Sequence, residues 1–114
     1  MSGHYVTKRP GQLAKVVKNE GAAIGYETIK EALDRCCFTV CYIQVGDKLL
    51  DVFCDDEGLL KNLAMCFWHK RQQQPIVGPI IVCDHDEEGE SIPLDKKTAE
   101  AAAKWLDGVG PARN

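Results

Sequence analysis

Hydrophobic and polar positions change period several times along the chain, and each change predicts an element. "HYVTK" and "QLAKVV" lie on either side of Pro10-Gly11, a turn-favouring pair, so an opening hairpin is expected over residues 4–8 and 12–17. The glycines of "NEGAAIGYE" mark a loop. Thr28 with Glu31 three residues later forms a capping-box pattern, and Ile29, Ala32, Leu33, Cys36 and Cys37 recur at helical spacing. They predict a helix from residue 28 to about 37. "FTVCYIQV" and "KLLDVFC" are rich in β-branched, aromatic and aliphatic residues and are separated by Gly46-Asp47, which predicts a central hairpin.

In "GLLKNLAMCFWHKR" the apolar residues Leu59, Leu60, Leu63, Ala64, Phe67 and Trp68 fall in pairs about one helical turn apart. A short helix is expected there. After Pro75, "IVGPIIVC" and "GESIPL" flank the acidic turn "DHDEEG" and read as a third hairpin. Asp95 is placed to cap "KKTAEAAAKWLDG", with Thr98, Ala102, Trp105 and Leu106 on one side and Gly108 as the stop. The expected fold is therefore α+β: a mainly antiparallel sheet built from three hairpins, with two or three helices packed on one face. It forms a single domain over residues 1–108, followed by a flexible tail over 109–114.

Length and composition agree with that picture, since 114 residues with 45% hydrophobic and 27% charged positions suit one ordinary globular core. The net charge of −3 argues against a protein held on nucleic acid through its phosphates, so direct nucleic-acid binding is not expected. No segment approaches the roughly 20 apolar residues needed to span a bilayer. "MSGHYVTKRPG" contains no apolar run of signal-peptide length, and the expected location is the cytoplasm.

Six cysteines would mark a disulfide framework in a secreted chain, but here most lie inside apolar patterns such as "FTVCYIQV" and "IIVC". Reduced core thiols are expected. Cys66 with His69 and Cys83 with His85 are the only pairs that invite a zinc reading; no CxxC accompanies them, and no metal or other cofactor is expected. "DHDEEGE" lacks the ligand spacing of a calcium loop and reads as a solvated acidic turn. Neither a nucleophile motif, a metalloprotease motif nor a phosphate-cradling glycine loop is present, so no catalytic residue is assigned and an enzyme is not the expectation. A small hydrolase with a spatially assembled site stands as the third alternative.

The stretch from Cys54 to Gly78 carries the candidate chemistry. Trp68 offers a stacking face, while His69, Lys70 and Arg71 offer donors and positive charge in an otherwise acidic chain, with Asn62 as a further polar group nearby. An anionic nucleotide needs both kinds of contact. The bland alternative places Phe67 and Trp68 in the core and the basic residues at a helix end. Trp105 carries the same ambiguity between a core residue and a self-association anchor.

"KRPGQ", "CYIQVGDKLLDVFCDDEG", "PIVGPIIVC" and "DEEGESIPL", in this order and spacing, resemble a family known as domain of unknown function 3846, over roughly residues 5 to 95. The resemblance implies a phage or mobile-element origin and a role in the bacterial host cell, and brings no catalytic residues. The resulting expectation is a small non-catalytic counter-defence protein that sequesters a nucleotide-derived immune signal as a homo-oligomer. The alternative partner is a host protein, inhibited directly through a hairpin edge or apolar face.

Overall fold

The computed structural model describes residues 3–108. Along the chain come β1 (Gly3–Lys8), β2 (Lys15–Asn19), α1 (Tyr26–Ala32), β3 (Phe38–Val45) and β4 (Lys48–Asp55). They are followed by β5 (Met65–His69), β6 (Gln74–Val77), β7 (Ile80–His85), β8 (Ser91–Ile92) and α2 (Lys96–Gly108). The main sheet runs β2-β1-β7-β4-β3, with β8 paired to β7, while β5 and β6 form a separate two-stranded sheet. Every strand pairing is antiparallel. The fold is thus a mainly antiparallel sheet with two helices. Residues 109–114, expected as a loose tail, lie outside the described residues.

Strand alternation gives the sheet two apolar faces. Val6, Ile43, Leu50, Val52, Ile80 and Val82 point to one side, where Ala99, Ala102 and Leu106 of α2 and Cys66, Phe67 and Ile76 of the small sheet cover them. Ile81 and Cys83 point to the other side, against Ile29 and Leu33 of α1, with Tyr5, Phe38 and Phe53 around them. The helices therefore occupy opposite faces, not one. The central strands β4 and β7 carry near-continuous apolar runs, as burial on both faces demands.

Asp95 caps α2 as expected, its Oδ1 accepting the Thr98 N–H at 2.7 Å. At the far end of that helix Lys8, almost fully buried on β1, pairs with Asp107 at 3.1 Å, and the same carboxylate accepts the Ala14 N–H at 2.9 Å. Helix α1 departs from expectation at both ends. It begins at Tyr26 behind Gly25 with no side-chain cap, so Thr28 and Glu31 form no capping box. It ends at Ala32 because Asp34 and Arg35 both take left-handed backbone angles, φ 57° and 60°, which leaves Cys36 and Cys37 outside the helix.

The expected helix within residues 58–71 does not form. Turns occupy 56–62, ending on Asn62 at φ 58°, and the aromatic stretch that follows pairs as the β5–β6 hairpin. A run this short satisfies strand alternation as well as helical spacing, and Phe and Trp favour the strand. A bulge between Met65 and Phe67 resets the alternation. "IVGPIIVC" is likewise divided, because Gly78 at φ 78° turns the chain out of β6 and Pro79 leads it into β7. A Cβ at Gly78 would lie 2.7 Å from Leu63 Cδ1, so both the angle and the space require glycine.

Candidate functional site

The β5–β6 hairpin lies against the sheet face near β3, one of the two outer strands of the main sheet, and brings its turn beside the C-terminal half of α2. His69 ends β5 and is buried. Its Nδ1 accepts the Gln72 N–H at 3.2 Å, so the ring proton sits on Nε2, which donates to the Tyr42 carbonyl at 2.7 Å. One imidazole thus ties the turn to the edge of β3. Gln73, at φ 53°, closes the same turn by donating from Nε2 to the Lys70 carbonyl at 2.7 Å.

A cavity of about 320 Å³ opens between these parts, at the lower end of the usual range for small-molecule sites. Tyr42, Leu49 and Trp105 supply its apolar walls; Lys70 and Arg71 supply its basic rim, with the buried His69 beside them. Trp105 is held edge-on by Phe67, with ring centroids 5.9 Å apart, and Phe67 lies 6.2 Å from the His69 ring. The aromatic wall is therefore fixed from behind by a fully buried residue. Lys70 and Arg71 are exposed and form no ion pair among the described residues. Their charge is available to an anion.

Of the residues singled out from sequence, His69, Lys70 and Arg71 meet at this cavity. Trp68 does not: strand alternation turns it to the outer face of the hairpin, where it borders a shallow apolar surface with Leu63, Met65, Pro75 and Val77. Asn62 also lies away from it, in the turn after β4. The aromatic groups that do line the cavity, Tyr42 and Trp105, come from segments about 30 residues or more from the basic turn, beyond the reach of a linear motif. Trp105 was legible only as an aromatic residue without a settled role.

Several other titratable groups are engaged within the fold. Burial pushes the Cys66 and Cys83 thiols up to about 12, which keeps them protonated and poor nucleophiles. The Cys66 thiol donates to the Lys8 carbonyl at 3.7 Å rather than sharing a ligand position with His69. His85 Nδ1 lies 2.9 Å from Asp51 Oδ1, and the Asp51 carboxyl, 6% exposed, is raised by burial against the opposing pull of His85. In the acidic turn Asp86 Oδ1 accepts the Glu88 and Glu90 N–H groups, each at 2.9 Å, which commits that carboxylate to the loop itself. No group of three or more His, Cys, Asp or Glu side chains among the described residues has metal-holding geometry. Among the same residues no helix is long and apolar enough to cross a membrane.

A five-stranded path of antiparallel pairing, closed by a helix on each face and carrying a side hairpin, defines the class: a small α+β domain with its cavity at a sheet edge. A profile of the domain of unknown function DUF3846 matches residues 4–107, and the chain belongs to that family. Comparisons with curated proteins and with solved structures found no match.

Proposed function

We propose that the chain is a small non-catalytic binding protein whose cavity at the β3 edge takes an anionic, nucleotide-derived molecule. The observation that carries this is the meeting of Lys70 and Arg71, which form no ion pair among the described residues, with the rings of Trp105 and Tyr42 around one hollow. Arg can fork onto a phosphate, a ring can cover a base, and a hollow of about 320 Å³ suits part of a nucleotide rather than a polymer. His69 has both nitrogens engaged with backbone groups, which supports a binding role over one as general base. In this reading the protein is of phage or mobile-element origin and sequesters an immune signal in the bacterial cytoplasm.

Calorimetry with ADP-ribose and with a cyclic dinucleotide tests this, using inorganic phosphate as the reference anion. Saturable heat is expected with at least one nucleotide, and the ligand should be recovered intact. Arg71→Ala and Lys70→Ala should each weaken it about tenfold or more, as loss of a charged hydrogen bond does, while Trp68→Ala leaves it unchanged. Absence of heat with all three probes, or conversion of the ligand to product, overturns the proposal.

A further inference from the structure

The outer face of the β5–β6 hairpin is a shallow apolar surface on which Leu63, Met65, Trp68 and Pro75 are half-buried and Val77 is buried. Trp68 and Pro75 are cross-strand partners, Met65 and Val77 likewise, and Leu63 lies beside them. Leu59 and Leu60, in the turn that precedes this hairpin, are 63% and 86% exposed. Pro75 and Val77 border both this surface and the hollow lined by Leu59 and Leu60, so the partly exposed apolar groups adjoin one another, unlike the single residues a monomer scatters over its surface.

The two ends of the strip differ in charge. At the Trp68–Pro75 end the hairpin turn carries Lys70 and Arg71, both exposed. At the Val77 end sits the turn bearing Asp55, Asp56 and Glu57, placed there by the close approach of Gly58 to Val77. Asp55 is neutralised by Lys61 at 2.8 Å. Asp56 and Glu57 are exposed and form no ion pair among the described residues, so the strip has an acidic and a basic end of equal formal charge.

We infer that this face is a self-association surface on which a second copy of the chain docks through a two-fold axis. A two-fold axis that crosses the strip at right angles pairs it with itself in reversed direction, and reversal brings the basic end of each copy onto the acidic end of the other. Trp68 and Pro75, towards the basic end, would then pack on each side of the axis against the acidic half of the other copy's strip, and Trp68 is the kind of aromatic anchor that carries much of an interface's energy. The charges set direction and reject the parallel alternative, in which like ends would meet. A partner of unrelated sequence has no reason to share this polarity, whereas a second copy has it by construction. The inference does not depend on the ligand proposed above, although both draw on the same basic turn.

Analytical ultracentrifugation of the full chain, without ligand, tests it from micromolar to submillimolar concentration. A concentration-dependent monomer–dimer equilibrium is expected, shifted to monomer in Trp68→Ser with folding checked by circular dichroism. Asp56→Lys with Glu57→Lys in one chain, and Lys70→Glu with Arg71→Glu in another, should each weaken the dimer about tenfold or more at low salt. Mixed together, the two variants should restore it, because each then meets opposite charge at both ends. A chain that is monomeric throughout overturns the inference, as does a dimer insensitive to all these substitutions or a mixture that fails to recover. Because mass is the readout, failure here leaves the calorimetric test of the ligand site intact.

Discussion

Phe67 and Trp68 are neighbours in sequence with opposite fates, and the difference is measurable. Phe67 is fully buried between Trp105 and His69, so Phe67→Ala should cost roughly 3 to 5 kcal/mol, a large share of the stability of a small domain. Trp68 points outward and leaves no closed cavity, so Trp68→Ala should cost clearly less. Urea denaturation of the two variants checks this; equal losses would place Trp68 in the core. Individual carboxylates act in opposite directions on the pH dependence. Asp51 is raised by burial, so the fold holds its proton more tightly than the unfolded chain does, and its contribution is most favourable at low pH. That contribution is lost as pH rises from the ordinary aspartate value of 3.8 through the raised one, and Asp51→Asn should flatten the stability profile there.

Asp95 acts at the scale of the element. The Thr98 N–H holds its carboxyl below the usual 3.8, so the cap stabilises α2 above that pH and is lost as pH falls through the lowered value. In thermal melts Asp95→Ala should melt lower than wild type at neutral pH, and the gap should close in strong acid. A gap that persists unchanged would mean that the cap acts through something other than its charge. This cap, the Gly46-Asp47 hairpin and the pairing of β1 with β2 were legible because each is decided within a few residues by turn or capping chemistry. The β5–β6 hairpin was not, since "AMCFWH" meets helical and strand spacing equally and only docking on the main sheet chooses between them. The early end of α1 escaped for a related reason: two non-glycine residues at positive φ carry no clear mark in sequence.

At the scale of the molecule, strand order decides where the cavity forms. Inserting β7 between β1 and β4 leaves β3 at the edge, where the side hairpin and α2 meet to form the cavity. The basic half of that site could be read from "HKR"; its aromatic half could not, because Tyr42 and Trp105 join it only through this topology. All six cysteines are free, so reducing agent should leave the melting temperature unchanged, and a fall of several degrees would reveal a structural disulfide. The most direct test of the central claim follows the two indole N–H signals in ¹H–¹⁵N spectra during titration with ADP-ribose or a cyclic dinucleotide, assigned through Trp68→Phe and Trp105→Phe. The Trp105 indole and the Lys70 and Arg71 amides should shift saturably while the Trp68 indole stays in place. Movement of Trp68 alone, or no movement at any ligand concentration reached, would contradict a binding site at the β3 edge.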